Sequence, residues 1–169
     1  MLTKRKNRTS CLSILQKSSN FQFKYRNRLK SKKIFINNKN MLRTLLIVAL
    51  GGGVGSALRY AVSKFVQDST NGAFPYHTFA VNIVGCLLIG LFYGLAARGH
   101  LGNNTTTLLL TTGLCGGFTT FSTFCNENIA LLRGDNAFVA LLYIASSMFC
   151  GLLAVALGYL IIDIIASGR

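Results

Sequence analysis

Three observations predict an all-α membrane protein with four transmembrane helices per subunit. Of the 169 residues, 51% are apolar and the mean hydropathy is +0.45, which lies outside ordinary soluble composition. From residue 41 onward, apolar runs long enough to cross a bilayer follow one another with short polar connections. These runs lack the alternation of a β-barrel, so helices are the structure that satisfies their backbone groups in lipid.

A strongly basic segment of residues 1–40 precedes these runs. It holds 12 of the 18 Lys and Arg residues and no acidic residue, and it shows neither helical nor strand periodicity. We therefore predict an unfolded extension followed by a transmembrane domain of residues 41–169. Clustered bases could bind nucleic acid or anionic lipid. Our preferred interpretation is that Met41 is the true start, in which case no nucleic-acid partner is expected.

The four spans are placed by the stretches that lack charge and by the residues that interrupt them. The second span follows Pro75, and the third and fourth are separated by a short polar connection. Small residues recur four apart, as in Gly51 and Gly55, which is typical of close helix packing in membranes. The predicted spans are residues 44–66, 77–97, 105–132 and 136–162.

The charges at the ends of the spans are nearly balanced between the two sides of the membrane. Four spans place Arg43, Arg98 and Arg169 on one side and Lys64 and Arg133 on the other. The difference in Lys and Arg between the two sides is then too small for the positive-inside rule to set one orientation, so the chain could insert either way. Two oppositely oriented copies could therefore meet as an antiparallel dimer. The 12 bases of residues 1–40 would abolish this balance, which is why we favour Met41 as the start.

A charged residue within the first span is the first candidate for function. Arg59 lies one turn after Ser56, and a guanidinium held inside a bundle attracts anions and disfavours cations. The alternative is that its long side chain reaches the membrane interface near Lys64.

Polar residues in the second and fourth spans fall on single helix faces. Thr78 and Asn82 are spaced i, i+4, and so are Tyr143 and Ser147. Their hydroxyl and amide groups form two lines of hydrogen-bond donors. The alternative function of such groups is to bond helices together.

The third span contains the most distinctive segment, GLCGGFTTFSTF at residues 113–124, which is followed by Glu127. Its paired glycines and its hydroxyl residues weaken a helix, so we predict that the third helix is broken in the middle of the membrane. Backbone carbonyls freed by a break suit a hard cation. Phe121 and Phe124 follow at i, i+3, and their ring edges carry partial positive charge that can face an anion.

These segments carry a family resemblance. GGGVGSALRY at residues 51–60, HTFAVNIVG at residues 77–85 after Pro75, and GLCGGFTTFSTFCNE at residues 113–127 together resemble the CrcB/Fluc family of fluoride channels. The similarity covers essentially all of residues 41–169. It implies a four-helix subunit in an antiparallel, dual-topology homodimer with two pores along its interface. It also implies passive export of fluoride across the inner cell membrane, which lowers the cytoplasmic fluoride concentration.

The resemblance assigns roles to individual residues. A structural Na⁺ at the dimer centre would be held by the backbone carbonyls of Gly116 and Thr119. The family's arginine in the first span matches Arg59, and its acid in the third span matches Glu127. The fluoride pathway would include Arg59 and Glu127 together with Asn82, Phe121, Thr123, Phe124, Tyr143 and Ser147. Thr78 is added to it from the polar pattern of the second span.

One position departs from the family pattern. Relatives can carry a further hydroxyl one turn beyond the residue that matches Ser147, whereas this chain has Gly151 preceded by Cys150. The polar line along the fourth span is therefore expected to be shorter, which bears on the conduction rate and not on the ion. The single, scattered cysteines do not have the spacing of a metal site.

Two other functions remain open from the sequence. A small dual-topology, proton-coupled multidrug exporter would need a carboxylate in the membrane, typically in the first span, where this chain has Arg59 and no acid. A non-conducting assembly subunit would use the polar faces only for helix contacts. An enzyme is not expected, because no nucleophile, base and orienting acid converge in the sequence.

Overall fold

The computed structural model describes residues 38–70, 72–102 and 104–167, with side chains described from Met41 onward. The predicted basic extension of residues 1–40 lies outside this description, apart from residues 38–40, where the first helix begins. The α-helices are α1 Asn38–Ser69, α2 Tyr76–Ala97, α3 Asn104–Leu108, α4 Gly116–Phe118, α5 Phe121–Arg133 and α6 Ala137–Ser167. A π-helical segment, Leu109–Cys115, connects α3 to α4, so that α3, this segment, α4 and α5 together form the third span.

Four helical stretches of the described residues are long and apolar enough to cross a membrane. They are Met41–Ser69, Tyr76–Ala97, Asn104–Arg133 and Ala137–Ser167. The prediction of an all-α, multi-pass membrane protein is therefore confirmed. The fourth span is longer than predicted, because α6 continues to Ser167 whereas the predicted span ended at residue 162. Asp163, in this additional stretch, forms an ion pair with Arg98.

Glycines allow α2 and α6 to pack with their backbones in contact. A Cβ atom on Gly90 of α2 would meet the carbonyl oxygen of Val155 in α6, and one on Gly158 of α6 would meet the carbonyl oxygen of Leu87. Side chains would hold the two helices apart at both places. The small residues therefore serve the close packing that the sequence pattern predicted.

The first half of the third span packs against α1 in the same way. A Cβ on Gly51 would lie 2.7 Å from the carbonyl oxygen of Leu109 and 3.0 Å from the Cα of Gly113. Five residues further along α1, the Ser56 hydroxyl donates to the carbonyl oxygen of Gly117 at 3.3 Å. These contacts fix the segment that leads into α4.

The helical path is interrupted between α4 and α5. Thr119 has φ −78° and ψ 155°, and Thr120 has φ −145° and ψ 116°, so both residues are extended. Helix α5 then begins at Phe121, with Thr120 as its N-cap. A Thr at this position is favourable because its side-chain oxygen accepts a bond from an amide of the first turn.

The small core and the exposed surface both suit a protein in lipid. Leu131, Ala140 and Tyr143 form a buried cluster between α5 and α6, with Phe74 and Phe124 packed against it. Large apolar side chains on α1 and α6 otherwise point outward. Such surfaces are unfavourable in water and compatible with acyl chains.

Candidate functional site

The side chain of Glu127 is the centre of a polar cluster built from three helices. The Thr78 hydroxyl donates to Oε1 of Glu127 at 2.6 Å, and Nε2 of His77 lies 3.0 Å from the same oxygen. The Tyr143 hydroxyl donates to Oε2 at 2.8 Å. Thus α2 supplies two groups, α5 the carboxylate and α6 the phenol. Three of the predicted site residues, Thr78, Glu127 and Tyr143, are brought together.

This cluster lies beside a cavity of about 700 Å³ at one end of the subunit. Glu127 and His77 line the cavity, together with Phe74 and Asn136. The Glu127 side chain is 15% exposed and that of His77 is 26% exposed, whereas Tyr143 is fully buried. The Glu127 carboxylate is therefore accessible from the cavity, and the Tyr143 hydroxyl bonds to it from the buried side.

A second contact joins α2 to the interruption of the third span. The backbone N–H of Thr120 donates to Oδ1 of Asn82 at 2.8 Å, and Nδ2 of Asn82 donates to the carbonyl oxygen of Thr120 at 3.1 Å. Asn82 therefore satisfies both backbone groups of the extended residue. One N–H of its amide is still left for another acceptor, since the amide has two.

The same interruption removes the donors of two backbone carbonyls. In a continuous helix the amides of Thr120 and Thr123 would bond to the carbonyls of Gly116 and Thr119, four residues earlier. Here the Thr120 amide bonds to Asn82, and the Thr123 amide donates to the Thr120 hydroxyl at 3.3 Å. The carbonyls of Gly116 and Thr119 are thus left without their helical donors. Two such oxygens fit a hard cation, which prefers oxygen ligands.

Aromatic rings form a row from the surface to the core. The ring centroids of Phe121 and Phe124 are 5.9 Å apart, and Phe124 meets Tyr143 edge to face at 4.9 Å. Phe121 is 76% exposed in the subunit, at the start of α5. The row therefore connects the interruption to the Glu127 cluster.

The remaining predicted residues lie around this row or apart from it. Ser147 lies one turn after Tyr143 in α6, and its buried hydroxyl oxygen has no hydrogen-bond partner among the described residues. Thr123 is exposed, and its hydroxyl accepts from that of Thr120 at 2.9 Å. Arg59 is partly buried on α1, and in the described part of the chain no hydrogen bond or ion pair connects it to the cluster.

Two members of the site were not selected from the sequence. His77 was not among the candidate residues, although its position beside Thr78 at the start of a span was a usable signal. Thr120 was included only as part of the hydroxyl-rich segment. Its specific function depends on Asn82, which lies 38 residues away in another helix, so local sequence could not distinguish it from Thr119.

Comparisons with known proteins identify the family of this chain. A family model described as CrcB-like protein, Camphor Resistance (CrcB), matches residues 46–159. A Flavobacterium psychrophilum protein named fluoride-specific ion channel FluC is 47% identical over 120 residues, covering 71% of this chain and 97% of the relative. A Phocaeicola vulgatus protein of the same name is 52% identical over 119 residues, covering 69% and 96%.

A third relative gives a similar result. A Thermus thermophilus protein, also named fluoride-specific ion channel FluC, is 47% identical over 114 residues, which cover 68% of this chain and 89% of the relative. The matched residues 46–159 reach into all four spans and include the interruption and the Glu127 cluster. The resemblance found in the sequence is confirmed, and the chain belongs to the CrcB-like family.

Proposed function

We propose that this protein is a fluoride-specific ion channel that exports fluoride passively across the cell membrane and so lowers its cytoplasmic concentration. The observation that carries the proposal is the 47–52% identity to relatives of that name across nearly their whole length. The family is one of channels, so the prediction that the chain is not an enzyme is confirmed. As a multi-pass protein it lies, in a bacterium, in the inner membrane.

The proposed channel is an antiparallel homodimer. Exposure of Phe121, Thr123 and Gly116 in the single subunit supports this proposal, because a polar, aromatic face with open carbonyls is poorly suited to lipid. A second copy would cover that face. The near balance of charge across the spans supports insertion of the two copies in opposite orientations. Lipid would surround the apolar outer faces.

We further propose that the interruption lies at mid-membrane depth and contributes to a structural Na⁺ site. The carbonyl oxygens of Gly116 and Thr119 support this, since each lacks its helical amide donor and each is the ligand type that a hard cation prefers. Two copies would each contribute the same pair of carbonyls. A bound Na⁺ would supply fixed positive charge between the subunits.

The proposed pathway has to replace the water around a small, strongly hydrated anion. Transfer of a bare ion to a medium of low dielectric constant costs on the order of tens of kcal/mol. The second amide N–H of Asn82, the Thr123 hydroxyl and the unpartnered Ser147 hydroxyl can each donate to fluoride. The ring edges of Phe121 and Phe124 add weak positive potential.

The charged and bonded groups have different functions in this proposal. Arg59 adds positive potential that favours anions over cations. Thr78 and Tyr143 hold the Glu127 carboxylate in place, because both donate to it. The donors that face the ion are thus carried by a framework whose own hydrogen bonds are already made.

The decisive experiment measures fluoride efflux from liposomes that contain the purified full chain. A fluoride electrode is expected to record rapid efflux once a potassium ionophore prevents charge build-up, and chloride efflux is expected to remain at the level of empty liposomes. An unchanged fluoride signal would reject the channel. The multidrug exporter and the assembly subunit both predict that result, since neither should move fluoride.

A further inference from the structure

The imidazole of His77 has no function in the pathway proposed above, yet it lies at the mouth of the cavity. Its Nε2 is 3.0 Å from Oε1 of Glu127, and its side chain is 26% exposed. Among the described residues that line the cavity, His77 and Glu127 are the two with ionisable side chains. The cavity is therefore lined by one carboxyl group and one imidazole.

We infer that His77 compensates the charge of Glu127 and thereby sets how fast fluoride enters the pathway; this inference rests on the proposed function. With a neutral imidazole, the mouth carries the full negative charge of the carboxylate, which repels an approaching anion. With a protonated imidazole, the pair is electrically neutral and the repulsion is lost. An imidazole changes its charge between about pH 5 and pH 8, which is the physiological range.

Other groups near the cavity do not provide this compensation. Thr78 and Tyr143 donate hydrogen bonds to Glu127 and carry no positive charge. No other charged group on the surrounding helices lines the cavity in the described part of the chain. Further ionisable groups of these segments also do not line the cavity. They are Arg59, Lys64 and Asp68 of α1, Tyr76 of α2, Arg133 of α5 and Asp135 in the turn after α5.

The test is the pH profile of fluoride efflux, measured with equal pH on both sides of the liposome. Equal pH is needed because the proposed dimer would present one mouth to each side. We expect efflux of the parental chain to rise between roughly twofold and tenfold from pH 8 to pH 6, as one unit charge is cancelled in a wet cavity. Efflux from protein-free liposomes at each pH is subtracted.

Two substitutions at His77 separate the effect of its positive charge from the effect of its contact with Glu127. His77→Gln keeps an N–H donor near Glu127 but cannot gain a charge, so its efflux should stay at the alkaline parental rate throughout. His77→Arg is permanently charged and should stay at the acidic parental rate. His100→Gln is the matched control, because His100 is the other histidine of the chain and lies in an exposed turn after α2. It should retain the parental profile.

The outcomes distinguish this inference from the proposed function. Fluoride efflux that is equal at pH 8 and pH 6 in the parental chain overturns the inference and leaves the channel intact. A parental rise that persists in His77→Gln or in His77→Arg also overturns it. An absence of fluoride efflux at every pH overturns both the proposed function and this inference. Loss of the rise in both variants, with His100→Gln unchanged, supports it.

Discussion

Replacement of Asn82 by Asp tests the contact between the second span and the interruption of the third. The carboxylate can still accept from the Thr120 amide, as Oδ1 does at 2.8 Å. It cannot donate to the Thr120 carbonyl oxygen, now 3.1 Å from Nδ2, so two acceptors would face each other. An unsatisfied buried polar group costs about 1–3 kcal/mol.

The effect on fluoride is expected to be larger than the effect on folding. Asn82→Asp replaces a donor of the proposed pathway with a negative charge. At about 4 Å and an effective dielectric constant of about 20, two unit charges interact by about 4 kcal/mol. Since about 1.4 kcal/mol corresponds to a factor of ten, fluoride efflux should fall by a factor of about 10³.

The assay is fluoride efflux from liposomes, with size-exclusion chromatography to confirm that the dimer still assembles. Asn104→Asp is the matched control, because Asn104 is exposed at the start of α3 and undergoes the same chemical change. It should conduct at the parental rate. If Asn82→Asp conducts as fast as the parental chain, Asn82 is not in the pathway.

Three further substitutions test other parts of the structure. Phe121→Ile should reduce fluoride efflux at least tenfold while the dimer still elutes normally, because the ring is 76% exposed in the subunit; parental efflux would remove it from the pathway. Gly90→Leu should abolish folded protein, because a Cβ there meets the backbone of α6, whereas Gly53→Leu should not, since its Cβ has open space; equal yields on size exclusion would contradict the packing. Tyr143→Phe should lower the free energy of unfolding by about 1.5–3 kcal/mol, because it removes a hydrogen bond to the Glu127 carboxylate; a thermal melt in detergent with an unchanged midpoint would show that the bond contributes nothing.

The general architecture could be predicted from the sequence because lipid allows few solutions. Apolar length and the absence of alternation led to four helices, and the predicted second span, residues 77–97, differs from α2 by one residue at its start. The end of α6 was less predictable. The predicted fourth span ended at residue 162, and the pairing of Asp163 with Arg98, 65 residues away, could not be inferred from the local sequence.

The candidate site was predictable where it depends on spacing within one helix, and not where it depends on contacts between helices. Thr78 and Asn82 were correctly placed on one face of α2. Their bonding partners could not be inferred, because they depend on the rotation of α5 against α2. Thr78 reaches Glu127, and Asn82 reaches the backbone of Thr120. Spacing along the chain contains no information about that rotation.

The hydrogen bonds of Asn82 also connect the two proposed ion sites. By accepting from the Thr120 amide, Asn82 takes the donor that would otherwise bond to the Gly116 carbonyl. The carbonyl proposed to hold Na⁺ is therefore open because a residue of the proposed fluoride pathway keeps the backbone extended. If both proposals hold, Asn82→Ala should weaken Na⁺-dependent assembly together with conduction, because the freed amide could return to a helical bond. Phe121→Ile should impair conduction alone, because its side chain makes no hydrogen bond to the interruption.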